Sequence, residues 1–134
     1  MIAVDTSVVV AAFASWHEAH PAAAASLARR PRLPAHVSLE AYSVLTRLPP
    51  PHRAPAELVA EFLRRRFPGD PLELPAAACL PMLRRMAEAG VTGGAVYDAV
   101  VGLTARHAGA TLLTRDRRAR EVYDLLGVQY EVVG

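Results

Sequence analysis

The sequence predicts an α/β domain in which a small, mostly parallel sheet carries helices on both faces. Short apolar runs that read as buried strands alternate with longer segments of helical periodicity. No internal repeat, low-complexity tract or change of composition divides the chain. A chain of 134 residues is also about one domain long. We therefore expect residues 1–134 to form one domain.

The first part of the chain predicts two strands separated by two helices. Residues 1–4 read as a buried strand, and residues 7–14 as a short apolar helix directly after it. An alanine-rich helix over residues 21–30 begins with proline, which suits a first helical position. Residues 32–36 form a candidate second strand that a proline interrupts.

The middle of the chain predicts helices separated by proline-rich breaks. Residues 38–48 read as a helix, and PPPHRAP (49–55) ends it with a stiff, extended connector. Residues 55–66 have the apolar stripe of an amphipathic helix. After a Pro-Gly-Asp-Pro turn, a short candidate strand at 72–74 precedes a helix over 76–89.

The last part of the chain returns to alternating elements. Residues 95–107 predict a helix that is apolar nearly all round, which indicates a central position. ATLLT (110–114) reads as a buried strand, residues 117–126 as a helix, and residues 128–133 as the last strand. This order completes the alternation that predicts a parallel sheet.

Composition excludes several classes of chemistry. All fifteen basic residues are arginine, so lysine Schiff bases and Walker A sites are excluded. Arginine suits phosphate contacts, and the sequence pI of about 9.1 is compatible with a polyanionic partner. A lone cysteine, Cys79, excludes an internal disulfide and multi-cysteine zinc sites. Without a membrane-length apolar run or a secretory signal, we expect a soluble cytoplasmic protein with no membrane association.

Four carboxylates are predicted at the ends of elements. Asp5 ends the first strand, Glu40 opens the third helix, Asp98 lies in the first turn of the central helix, and Asp116 follows ATLLT. In open α/β sheets these ends lie along one edge, where ligands bind. For any one of these residues alone, helix capping or stabilisation by the helix dipole is the more ordinary explanation.

The four residues together favour a cation site. Glu40 in SLEAYSVLTRLP and Asp98 in VYDAVVGL lie in otherwise apolar segments that we expect to be largely buried. Buried carboxylates in one place repel one another and become protonated unless a cation neutralises them. Oxygen ligands without a cysteine or histidine cluster favour Mg²⁺ or Mn²⁺ over zinc. His17 and His20 have a chelating spacing, but they lie in an expected loop and the other histidines are scattered.

At these residues the sequence closely resembles the PIN-domain nucleases, in particular the VapC toxins of bacterial toxin–antitoxin pairs. Four segments carry the resemblance: IAVDTSVVVAAF, SLEAYSVLTRLP, GGAVYDAVVGLTARHAGATLLTRDRRAREVY, and GV before the final strand. The resemblance implies a PIN-like three-layer domain over residues 1–134. It also implies an endoribonuclease that hydrolyses RNA phosphodiester bonds with Mg²⁺, or with Mn²⁺, in an acidic pocket.

Carried over to this chain, the resemblance makes Asp5, Glu40, Asp98 and Asp116 the catalytic pocket. We predict Asp5, Asp98 and Asp116 as the metal ligands, with Asp5 and Asp98 as the main direct ligands and Asp116 holding the ion directly or through water. Glu40 is assigned to orient or deprotonate the attacking water. Many relatives have another acid three residues after the position of Asp116, where this chain has Ala119. We therefore predict one metal ion and leave a second ion open.

Other residues near these motifs receive supporting roles. Three hydroxyls are implied to support the acids: Thr6, Ser7 and Thr114. Four arginines flank Asp116 and are candidates to hold the RNA backbone: Arg115, Arg117, Arg118 and Arg120. A solvated helix surface is the alternative explanation for these arginines. Trp16, in the loop after the first helix, stacks on a base, packs against a partner or serves as a local packing anchor, and the last is the more ordinary explanation.

The resemblance further implies a homodimer and a cognate VapB-like antitoxin that covers the active site. A non-catalytic PIN-like scaffold that binds RNA or protein is an alternative, although the four retained acids argue against it. A phosphatase with Asp5 as nucleophile is a second alternative. That pattern requires an aspartate at the position of Ser7 and a downstream lysine, and the chain has neither.

Overall fold

A parallel three-stranded sheet runs through the centre of the protein, of which the computed structural model describes residues 1–134. Its strands, in order across the sheet, are β1 (Ile2–Val4), β2 (Thr111–Thr114) and β3 (Tyr130–Val132). Val4 lies opposite Leu113, and Leu113 lies opposite Glu131. Because all three strands point the same way, their carboxyl ends meet at one edge.

Seven α-helices surround this sheet. They are α1 (Thr6–Phe13), α2 (His20–Ser26), α3 (Ala35–Arg47), α4 (Ala56–Arg66), α5 (Cys79–Glu88), α6 (Ala95–His107) and α7 (Arg117–Leu125). Short 3₁₀ turns at Leu27–Arg29 and Ala76–Ala78 follow α2 and precede α5. Helices α1 and α6 both pack against β2. The α/β class and the parallel sheet predicted from the sequence are thereby confirmed. None of the helices has the length and apolar character needed to cross a bilayer.

A single large core of buried apolar side chains joins the sheet to its helices. Leu112 and Leu113 of β2 are fully buried, as a strand covered on both sides requires. Gly102 lets α7 approach α6 closely, since a Cβ there would lie 2.9 Å from Cδ1 of Tyr123. This close approach fixes Tyr123, which reaches the site described below.

Two predicted strands are wrong. Residues 32–36 and 72–74 form only isolated parallel bridges, Ala3 with Arg32 and Pro34 with Leu72. A proline has no backbone N–H to donate to a ladder, and α3 begins immediately after Pro34, so no strand extends further. The bridges still prolong the sheet beyond β1, because the backbone N–H of Val4 donates to the carbonyl of Arg32 at 3.1 Å.

The PPPHRAP segment is a turn rather than the extended connector that its prolines predict. The backbone N–H of His52 donates to the carbonyl of Pro49 at 3.0 Å, and that of Ala54 donates to the carbonyl of Leu45 at 3.0 Å. Leu45, Ala54 and Val59 form a small second core under this turn. Burial of Ala54 against α3 and α4 therefore folds the segment back on itself.

Candidate active site

All four predicted carboxylates line one cavity of about 510 Å³ at the carboxyl edge of the sheet. Asp5 follows β1 directly, and Asp116 follows β2 after one intervening residue. Asp98 lies in the first turn of α6, and Glu40 lies on α3. Because the ends of parallel strands and the starts of the following helices meet at this edge, the topology brings together residues that are far apart in sequence.

Asp5 is the most deeply buried of the four, with 3% of its surface exposed. Its Oδ1 accepts hydrogen bonds from Ser7 Oγ at 2.5 Å and from the backbone N–H of Val8 at 3.3 Å. Its Oδ2 accepts a hydrogen bond from the hydroxyl of Tyr123 at 3.1 Å. Burial raises the pKa of Asp5, and these hydrogen bonds counteract part of that rise. Asp5 therefore caps α1 and faces the cavity at the same time, so helix capping and a role in a cation site are compatible for this residue.

Asp98 is the carboxylate on which repulsion from the other three acts. Its pKa is raised to about 6, first because burial penalises the charged form and then because of repulsion by Asp116, Glu40 and Asp5. The side chain is only partly buried, so it remains accessible from the cavity. The site thus has an excess of negative charge that a bound cation would relieve.

Asp116 is held by the start of α7. Its Oδ1 accepts the backbone N–H groups of Arg118 at 2.9 Å and Ala119 at 3.2 Å, which makes Asp116 the N-cap of the helix. Its own N–H donates to Oγ1 of Thr114 at 3.1 Å. Ala119 is buried and faces the core. Asp116 is therefore fixed in position by the Thr114 hydroxyl on one side and by the first N–H groups of α7 on the other.

The position predicted for Glu40 within its helix is wrong. Helix α3 begins at Ala35, three residues earlier than predicted, so Glu40 lies in the second turn and does not open the helix. Pro34 provides the start, because its extended conformation suits an N-cap position. Glu40 lines the cavity nonetheless, and the hydroxyl of Thr6 donates a hydrogen bond to its Oε1.

The three predicted supporting hydroxyls each contact the acids. Thr6 holds Glu40, and Thr114 accepts the N–H of Asp116. Ser7 Oγ donates to Asp5 and also accepts the backbone N–H of Arg115 at 2.8 Å. Ser7 therefore ties the segment after β1 to the segment after β2.

Two of the four predicted arginines line the cavity, Arg115 and Arg117, and Arg118 and Arg120 do not. The Nε of Arg115 donates to the carbonyl of Val133 at 3.0 Å, which holds this side chain against the end of β3. Arg47, at the end of α3, also lines the cavity and was not predicted from the sequence. Positive charge therefore comes to the cavity from two separate elements.

Tyr123 and His17 are further cavity residues that sequence reasoning missed. Tyr123 is 1% exposed, and burial together with the nearby Asp5 carboxylate raises its pKa far above the usual range. It therefore stays a hydroxyl donor. A signal for it does exist in the sequence, because Tyr123 lies seven residues after Asp116 and so on the same face of α7.

The chemistry of the donors fits a hard divalent cation. Carboxylate and hydroxyl oxygens dominate the polar lining, and these are the ligands that Mg²⁺ and Mn²⁺ prefer. The side chains do not form a closed chelating group, since no three His, Cys, Asp or Glu side chains converge to that degree. The residues thus present separate oxygens to a shared cavity. A bound cation would neutralise the repulsion between carboxylates that contributes to the raised pKa of Asp98.

Comparison with known proteins gives consistent matches over nearly the whole chain. The family model described as PIN domain matches residues 2–125. Ribonuclease VapC40 of Mycobacterium tuberculosis, from strains CDC 1551 / Oshkosh and ATCC 25618 / H37Rv, is 53% identical over 133 residues, which are 99% of each chain. Ribonuclease VapC27 of strain ATCC 25618 / H37Rv is 42% identical over 132 residues, 98% of this chain and 96% of its own.

Proposed function

Because this chain belongs to the PIN-domain family and is a VapC ribonuclease, we propose that it is a Mg²⁺-dependent endoribonuclease toxin acting at the four-carboxylate cavity. The observation that supports this assignment most is that four carboxylates from separate elements line one cavity at the carboxyl edge of the sheet. Four carboxylates on four elements that repel one another are costly for a fold to keep. A bound divalent cation would offset this cost by neutralising the repulsion. Mn²⁺ accepts the same oxygen ligands as Mg²⁺.

The first role of the chain is to hold its carboxylates in place. We assign Asp5, Asp98 and Asp116 to hold one cation, which when bound would supply positive charge for the scissile phosphate and lower the pKa of water. Ser7 and Tyr123 fix both oxygens of Asp5 through hydrogen bonds. Groups that are already oriented need little reorganisation during the reaction, so these contacts favour the transition state.

Glu40 is the residue we assign to the attacking water. Its Oε1 is held by the hydroxyl of Thr6, which orients the carboxylate within the cavity. As the bond between phosphorus and the attacking water oxygen forms, the bond between phosphorus and the ribose leaving oxygen breaks, and the leaving oxygen takes a proton from solvent. An oriented carboxylate accepts a hydrogen bond from the attacking water and takes its proton in the same step. The proton then resides on Glu40 until it is released to solvent.

The arginines are the residues we assign to the RNA backbone. Arg47, Arg115 and Arg117 line the same cavity as the acids. Each guanidinium can pair with two phosphate oxygens, so phosphates on either side of the cleaved bond have partners at the cavity. Arg118 and Arg120 lie outside the cavity, so we assign them to contacts with a longer RNA substrate.

We also propose the partners that the family resemblance implies. A VapB-type antitoxin would cover the cavity and inhibit cleavage, and the toxin would form a homodimer in the cytoplasm. Addition of the copurified antitoxin should stop cleavage. Light scattering should give about twice the 14.4 kDa chain mass.

Cleavage of a mixed RNA pool by the purified protein tests the proposed activity. We expect cleavage with Mg²⁺ and with Mn²⁺, none with chelator, and none by Asp98→Asn. Asp70→Asn, which changes an exposed loop carboxylate, is the matched control and should cleave like wild type. Full activity of folded Asp98→Asn would contradict the site. A folded wild-type protein that neither cleaves RNA nor binds either ion would instead be the non-catalytic scaffold.

A further inference from the structure

Three aromatic rings lie in contact beside the catalytic cavity. His17 lines the cavity, and Trp16 is its neighbour in the loop after α1. The rings of Trp16 and His17 have centroids 5.9 Å apart with planes inclined by 37°. On the turn after α3, His52 places its ring 4.0 Å from that of Trp16, inclined by 33°. We call His17, Trp16 and His52 the aromatic shelf.

Packing in the fold does not account for the shelf. Trp16 is 49% exposed, and His52 is exposed on its turn. Neither residue belongs to the main core or to the small core under the turn. The exposed half of the Trp16 indole is apolar surface that a flat ring of a bound partner can cover. Two segments of the chain, residues 14–19 and 49–55, bring these rings together at the surface and not in the interior.

The chemistry next to the shelf identifies what such a flat partner is. Arg47 and the four carboxylates line the cavity that His17 also lines, so the phosphates of an RNA bound there would lie beside the His17 end of the shelf. In single-stranded RNA the bases on either side of a phosphate are free to turn outward. Unpaired bases stack on aromatic side chains, and this stacking tolerates any base because every base has a π-face.

We propose that Trp16, backed by the ring of His52 and adjoining His17, is a base-stacking subsite that holds an unpaired nucleobase next to the cleaved phosphate. The inference rests on the proposed ribonuclease function and deepens it. It makes Trp16 a substrate-positioning residue that requires an unpaired base, since the bases of a duplex are already stacked on one another.

Fluorescence tests the subsite independently of cleavage, because Trp16 is the only tryptophan in the chain. The experiment uses Asp98→Asn in chelator and titrates a mixed-sequence single-stranded hexaribonucleotide. The controls are an abasic ribose-phosphate oligomer of equal length and a duplex of the same sequence. We expect the single strand to change Trp16 emission and to bind about ten-fold more tightly than the abasic oligomer. Equal binding of the two with unchanged emission would overturn the subsite.

A second test measures RNA cleavage kinetics with Trp16 variants that keep all four cavity carboxylates. Trp16→Leu should raise KM for single-stranded RNA about ten-fold, and Trp16→Phe, which keeps an aromatic ring, should restore most of that loss. Leu80→Ala is the matched control, because Leu80 is 75% exposed on α5, which contributes no residue to the cavity. A lower melting temperature of Trp16→Leu with unchanged KM would show a local packing role and overturn the proposal.

The two arms separate this inference from the function it rests on. RNA cleavage by wild type without any change in Trp16 emission would refute the subsite and leave the nuclease intact. Base-dependent quenching of Trp16 by a protein that cleaves no RNA would support the subsite and refute the nuclease.

Discussion

Replacing Asp98 by asparagine should stabilise the metal-free protein at alkaline pH even though it abolishes cleavage. The pKa of Asp98 in the folded chain is about 6, above its ordinary value of 3.8. Ionisation of Asp98 therefore opposes folding. The cost is nearly absent below about pH 4, grows as pH rises from about 4 to 6, and is fully present at pH 8. Asparagine has nearly the same shape and no charge, so it escapes this cost.

The size of the effect follows from the pKa and the exposure of the side chain. A rise from 3.8 to about 6 corresponds to about 3 kcal/mol if taken at full value. Asp98 is partly exposed, and solvent screening reduces this to about 1.5 kcal/mol. Its favourable interaction with the first turn of α6 offsets about 0.5 kcal/mol more. A net gain of about 1 kcal/mol raises the melting temperature by about 4 °C in a chain of this length.

Thermal unfolding followed by circular dichroism in chelator measures this gain. Asp98→Asn should melt about 4 °C above wild type at pH 8 and within error of it at pH 4, where wild-type Asp98 is protonated. Asp70→Asn controls for the loss of one exposed carboxylate and should match wild type at both pH values. Asp98→Asn melting at or below wild type at pH 8, or keeping the same advantage at pH 4, would refute the argument from carboxylate repulsion.

Three further outcomes follow from the same contacts. Gly102→Ala should lower the free energy of unfolding in urea by about 1–3 kcal/mol, because its Cβ would lie 2.9 Å from Tyr123 Cδ1 and 3.0 Å from Val128 Cγ2; unchanged stability would contradict the close packing of α6 on α7. Tyr123→Phe should cost about 2 kcal/mol at pH 8, since Asp5 loses a hydrogen-bond donor within a buried site; a urea midpoint equal to that of wild type would argue against this contact. Calorimetric Mg²⁺ affinity should fall as pH drops below about 6, because Asp98 must release a proton to bind the ion; an affinity that is flat from pH 5 to 8 would exclude Asp98 as a ligand.

Much of the fold can be predicted from local sequence, because its signals are local. The bounds predicted for α6, residues 95–107, are confirmed, since an apolar helix between a Gly-Gly pair and Gly109 has clear ends. The strand before Asp5 and the strand before Asp116 are likewise confirmed, although both are shorter than predicted. Because parallel strands end at a common edge, these assignments place two of the four carboxylates near each other.

The remaining features depend on contacts that sequence periodicity does not encode. Residues 32–36 have strand composition, but α3 begins at Ala35 and leaves only single bridges. That earlier start also moves Glu40 into the second turn, where Thr6 from another element holds it. The helical spacing places Tyr123 on the same face of α7 as Asp116, but its hydrogen bond to Asp5 depends on α7 packing against α6 at Gly102. Tertiary contacts decided each of these cases.

A titration of the metal-free protein with Mn²⁺ tests the central claim most directly, provided that bound ion and RNA cleavage are followed in the same samples. Wild type and Asp5→Asn are compared at pH 8, with circular dichroism to show that both are folded. We predict that cleavage by wild type rises with the first Mn²⁺ bound per chain, and that Asp5→Asn neither binds this ion nor cleaves. Binding and cleavage by Asp5→Asn at wild-type levels, or cleavage that does not follow bound Mn²⁺, would contradict the carboxylate site.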